Sequence, residues 1–191
     1  IMSLWGNDIK PKNLTSAESK EVYASPKGWV REAGSILSGN DNTSATEEVL
    51  VAIGNLNVAM GTANITELEF VNTVYDKSAG FTMSVLARFN EAVDVTGTPQ
   101  LSVTNGNQGS GTGRGPHVLS YASGTGSNEL TFTLVIAAAN AATNAGDIMV
   151  IGANAMALNG GTVKDAGTTT VSAITSAAGI GSAAGSVTVV A

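Results

Sequence analysis

Phe81-Thr82-Met83-Ser84-Val85-Leu86-Ala87-Arg88-Phe89 places Phe, Met, Val, Ala and Phe at odd positions and Thr, Ser, Leu and Arg at even ones. Successive side chains of a β-strand point to opposite faces, so this spacing predicts a half-buried strand with one apolar face. Leu130-Thr131-Phe132-Thr133-Leu134-Val135-Ile136 repeats the alternation. Shorter strands are predicted at 67–75, 101–104, 118–122, 148–151, 169–174 and 186–190. The punctuation between them is Thr96-Gly97-Thr98-Pro99, Gly124-Thr125-Gly126-Ser127-Asn128 and Asn159-Gly160-Gly161, with a glycine-rich loop over 105–115.

About seven short strands at this spacing, with no helices between them, predict an all-β fold. The expected architecture is an immunoglobulin-like β-sandwich over 63–191, with a closed barrel as its rival. The paired cysteines and core tryptophan of antibody domains are missing, so the expectation concerns shape alone.

Residues 1–62 read as a separate, partly irregular extension. Thr15-Ser16-Ala17-Glu18 has the spacing of a capping box and predicts a short helix through Tyr23, broken by Pro26 and Gly28. Residues 39–44 form a polar loop. After it, Val49-Leu50-Val51-Ala52-Ile53 is an apolar, β-branched run that favours a strand over the helix that Ser44 and Glu47 would cap. Trp5 and Trp29 both lie in this extension. A tryptophan in such a region reads as a packing anchor, on its own chain or on a neighbouring subunit, before it reads as a sugar platform. The attachment residues expected on this basis are Trp5, Trp29, Val30, Val49, Leu50, Val51 and Ile53.

Composition excludes several classes of function. The 191 residues include no cysteine, which removes disulfides and thiolate-bound zinc. A formal net charge of −6 leaves no basic footprint, so no nucleic-acid partner is expected. Residues 134–142 form the longest mostly apolar stretch, well short of the ~20 residues that span a bilayer, so no membrane partner is expected either. Residues 1–95 hold 19 of the 24 charged side chains. The remainder is rich in Gly, Ala, Ser, Thr and Val, which suits strands with small polar residues facing outward.

Few residues would carry catalysis. His117 is the one histidine, and no Gly-x-Ser-x-Gly lies between a strand and a helix, so His117 reads as a loop residue rather than a triad base. The glycine-rich loop is followed by Pro116-His117-Val118-Leu119, without the Lys-Ser/Thr pair and helix that a phosphate cradle needs. Glu47-Glu48, Glu67/Glu69 and Asp147/Asp165 are the acidic pairs weighed as ligands or glycosidase carboxylates. Calcium asks for roughly six to eight oxygens, and the sequence shows no dense acidic cluster. No catalytic residue, metal ligand or cofactor is therefore expected.

Two resemblances add to this reading. Phe89-Asn90-Glu91-Ala92-Val93-Asp94-Val95-Thr96-Gly97-Thr98-Pro99-Gln100-Leu101 resembles the signature of bacterial immunoglobulin-like repeats found in large surface proteins. The likeness continues over 119–132 and 153–166, apart from the glycine-rich insertion before His117. It implies a β-sandwich adhesion or spacer domain without shared catalytic residues. Met2-Ser3-Leu4-Trp5-Gly6-Asn7-Asp8, Ala24-Ser25-Pro26-Lys27-Gly28-Trp29-Val30 and 47–53 are similar to the start of virion structural proteins of marine tailed phages, cyanophages in particular. Together they imply a non-enzymatic capsid decoration or cement protein, assembled in the host cytoplasm and carried on the capsid surface. Its expected partners are the major capsid protein or other virion proteins, and many copies or a homo-oligomer of itself. A tail or neck component, and a cell-surface or carbohydrate adhesion module, are the alternatives.

Overall fold

The computed structural model describes residues 10–105, 116–138, 144–168, 172–173 and 179–191. The chain is all-β and sandwich-like. Its strands in chain order are β1 (Val22–Ser25), β2 (Gly28–Arg31), β3 (Glu48–Ala52), β4 (Ile65–Phe70), β5 (Val74–Asp76), β6 (Phe81–Thr96) and β7 (Gln100–Asn105). They continue with β8 (His117–Ser123), β9 (Ser127–Ile136), β10 (Ile148–Ala157), β11 (Thr162–Asp165) and β12 (Ser186–Val190). Three short helices, α1 (Ser16–Lys20), α2 (Leu56–Met60) and α3 (Ile180–Ala183), lie among them.

The predicted strand at 81–89 is the first part of β6, which runs on to Thr96 and organises the molecule. Along one edge it pairs with β9, from Phe81↔Ile136 to Arg88↔Glu129 and again at Val93↔Ser127. Along the other edge it meets three partners in turn. β4 lies against 85–89, β1 touches it in parallel at Ala24↔Glu91, and β11 pairs with 93–96. The register shift between Arg88 and Val93 bends the strand where it changes partners.

From β9 the path continues through β8, β7, β10 and β12 to β5. The β6–β7 connection crosses between non-adjacent strands, which stacks the path upon itself. One apolar core results, to which Leu68, Val85, Phe89, Leu101, Leu119, Phe132, Met149, Val163 and Val187 contribute from eight strands. Within 63–191, β4 and β11 at the β6 end of the path do not pair with β5 at its other end among the described residues, so the sheet does not close into a barrel there.

The extension is more ordered than its sequence predicts. Ser25↔Gly28 closes a hairpin around Pro26-Lys27, and β3 adds to β2. The helix expected to reach Tyr23 stops at Lys20, because Val22-Tyr23-Ala24-Ser25 joins that hairpin. Its start is as predicted: Thr15 Oγ1 accepts from the Glu18 amide at 3.2 Å, and Glu18 returns a bond from the Thr15 amide at 2.8 Å. Thr15→Ala is expected to lower stability by about 1 kcal/mol, read from urea melts as a midpoint shift at unchanged slope.

Other boundaries also move. The stretch 67–75 divides into β4 and β5 around a turn at 71–73, and the 49–53 run forms β3 as a strand. At Asn159-Gly160 both residues take positive φ, 49° and 75°, the conformation a tight β10–β11 turn requires. The strand predicted at 169–174 lies outside the described residues except at Ser172 and Ala173, where Ser172 bridges Lys164. Most of the glycine-rich loop lies outside them as well. Among the described residues, no helix is long and apolar enough to cross a membrane.

Candidate attachment surface

β1 and β2 are buried on both faces, so they lack the alternation that betrays a half-buried strand. Val22, Ala24 and Trp29 point to one side and pack with Leu56 of α2, backed by Leu50, Val51 and Ile53. Tyr23 and Val30 point to the other side, against Ala92 of β6, with Ala166 alongside. The hairpin is thus clamped between a small core of its own and the sandwich.

This placement sorts the expected attachment residues. Trp29 is 2 % exposed and Val30 is fully buried, so both anchor the extension on its own chain. Leu50, Val51 and Ile53 are half-buried over the Trp29 cluster. Val49 is 44 % exposed. Trp5 lies outside the described residues. Of the expected set, only Val49, Leu50 and Val51 of β3 and the adjoining Ile53 present surface to a partner among the described residues.

β3 is also the end of the strand path and, among the described residues, pairs only with β2. An edge strand carries a row of backbone donors and acceptors with no partner, which is a template for strand addition. The register shift between Trp29↔Val51 and Val30↔Val49 inserts Leu50 as a bulge that twists this edge.

Behind the hairpin, a groove of about 580 Å³ separates the extension from β8 and β9, lined by Tyr23, Lys27, Glu32, Glu47, Asn128 and Thr131 among others. Its carboxylates are partnered. The Tyr23 hydroxyl donates to Glu47 at 3.1 Å, Lys27 pairs with Glu47, and Asn128 Nδ2 donates to Glu32 at 2.8 Å. Burial raises the Tyr23 pKa, with Glu47 adding to the rise. Burial likewise raises that of Glu32, against the pull of Asn128. Arg88 reaches Glu69 at 2.6 Å, Glu129 at 2.7 Å, Glu67 at 3.3 Å and Glu32 at 4.0 Å. Glu67 and Glu69, weighed from sequence as ligands or glycosidase carboxylates, serve this cation. These contacts hold the extension on the sandwich.

His117 begins β8 as a buried side chain rather than an open loop residue, its Nε2 without a hydrogen-bond partner. Burial lowers its pKa, and nearby Asp147 works the other way. Asp147 and Asp165 do not form a pair. Ser120↔Thr133 and Phe81↔Ile136 place His117 and Asp147 toward the Phe81 end of β6, whereas Asp165 pairs with Val93 toward the other end. Among the described residues, no group of three or more His, Cys, Asp or Glu gathers as a metal site.

The fold and surface define an all-β, sandwich-like protein with an open edge strand on a clamped N-terminal hairpin. Comparison with protein families, with curated proteins and with solved structures finds no match to this chain.

Proposed function

We propose that this chain is a structural protein of a phage particle, of the capsid decoration or cement type, attached through the β3 edge. The observation that carries the reading is that edge: a strand backbone with no pairing partner among the described residues, beside exposed Val49, on a segment tied to the sandwich through Val30 and the Arg88–Glu32 contact. The two resemblances supply the particle as the place where such an edge is used, and they rank the capsid above the tail. A shell offers many equivalent positions, so a weak contact per copy suffices when copies also touch one another.

The test is co-sedimentation of the full chain with capsids stripped of accessory proteins. Saturable pelleting at many copies per particle is expected, with about a tenfold loss of affinity for Val49→Asp, the scale of one good interface residue. A melting curve verifies that the variant is folded. Equal binding of Val49→Asp would remove β3 from the interface. No pelleting with capsids overturns the decoration reading, and binding to isolated tails or to cell-surface glycans would replace it.

A further inference from the structure

The inward face of β6 carries Met83, Val85, Ala87 and Phe89, and the next position in that alternation is Glu91. Its residue is 0 % exposed, and neither carboxylate oxygen receives a hydrogen bond of ordinary geometry. A carboxylate left like this is strongly disfavoured in an apolar interior. Its surroundings contain more of the same. Asp165 on β11 is also 0 % exposed. Its Oδ1 accepts from the amides of Gly167 and Thr168 at 2.6 and 3.2 Å, while its Oδ2 has no partner.

The turn after Asp165 brings in two further groups. The Ala166 amide bonds the Ala92 carbonyl at 3.1 Å, fixing the turn against β6 next to Glu91. Gly167 lies so close to α2 that a Cβ there would sit 2.7 Å from Asn57 Nδ2 and 3.0 Å from its Cγ. Asn57 is 1 % exposed, and neither end of its amide has a partner; the Thr168 hydroxyl is buried and unpartnered too. Two carboxylates, an amide and a hydroxyl from β6, β11, α2 and the turn thus crowd one buried place with their bonding capacity unused. Native interiors do not leave so many polar atoms unmet.

We propose that Glu91, Asp165, Asn57 and Thr168 form a binding site for a hard divalent cation, calcium by its donor set. The donors are all oxygen, which disfavours zinc and copper, and two carboxylates match the +2 charge. A half-turn of the Asn57 amide presents its oxygen. Asn57 belongs to the extension, while Glu91 and Asp165 belong to the sandwich, so the cation fastens one to the other. The pairing weighed from sequence, Asp147 with Asp165, missed this arrangement because the partner of Asp165 is Glu91.

The experiment is thermal melting of the chelator-stripped full chain at pH 7 with calcium chloride, magnesium chloride or neither. A rise of several degrees in millimolar calcium is expected, with a smaller one in magnesium. Glu91→Gln, which keeps the size and polarity of the side chain but removes the ionisable oxygen pair, is expected to lose that rise while its melt in chelator verifies that it is folded. Asn57→Ala is expected to weaken the calcium response. No calcium response in the wild-type chain would overturn the site, and so would an equal response in Glu91→Gln.

Discussion

Replacing Arg88 with alanine is expected to lower the unfolding free energy by about 3 kcal/mol, seen as a fall of roughly 10 °C in melting temperature. The Arg88 side chain is 12 % exposed and sits among Glu67 and Glu69 of β4, Glu129 of β9 and Glu32, the residue after β2. Removing it leaves four carboxylates close together across two strand pairs and the junction with the extension, with Lys20 still paired to Glu67 and Asn128 still bonded to Glu32. Arg88→Lys keeps a charge but loses the planar fork that reaches several oxygens, so an intermediate loss is expected. Added salt screens the remaining repulsion and should narrow the gap between Arg88→Ala and the wild type. A loss below about 1 kcal/mol would show that the cluster behaves as ordinary surface ion pairs do.

A second large effect is expected at Gly28. It sits at φ 127°, and a Cβ there would collide with the Val51 carbonyl oxygen and crowd the Ile53 amide. Both obstacles are backbone, so neither can rotate aside. Gly28→Val is expected to push β3 off β2 at a cost of about 3 kcal/mol. The Ile53 amide donates to the Lys27 carbonyl and the Asn55 amide to the Pro26 carbonyl, so hydrogen exchange at these two amides reads the event directly. They are expected to exchange about a hundredfold faster, while the β6–β9 ladder keeps its protection. Unchanged exchange would mean that β3 accommodates the side chain. Because β3 is the proposed attachment edge, the same variant is expected to lose capsid binding while the sandwich remains folded.

The sandwich was legible wherever one face of a strand is wet. In 81–89 and 130–136 the alternation survives because the outer face carries Thr, Ser and Arg. β1 and β2 escaped because both their faces are covered, so Val22-Tyr23-Ala24-Ser25 shows no period to read. The signal that would have found them is local: a two-residue turn, Pro26-Lys27, between short runs containing β-branched and aromatic residues. The capping box located the start of α1 but says nothing about where a helix must yield to a tertiary partner.

The candidate sites were less legible, for a related reason. Trp29 was readable as an anchor, but whether an anchor grips its own chain or another depends on folding contacts that no local pattern records. Glu91 was within reach of the alternation argument, since 83, 85, 87 and 89 all point inward and 91 continues the series. Continuing a pattern through a charged residue runs against expecting charges outside, and such a conflict is where a functional position is to be sought.

The length of β6 also bears on how fast the protein forms. Its partners lie at Ala24, Ile65–Phe70, Ser127–Ile136 and Thr162–Asp165, so its native neighbours come from nearly the whole chain. Loops that long must close before their contacts repay the lost chain entropy, which places refolding in the slow, millisecond-to-second regime of β-rich topologies. Until β9 and β11 arrive, β6 exposes an apolar face and bare edges, the kind of surface on which unfinished chains stick to each other. Dilute refolding should therefore return more native protein than concentrated refolding, in proportion to how long that one strand waits.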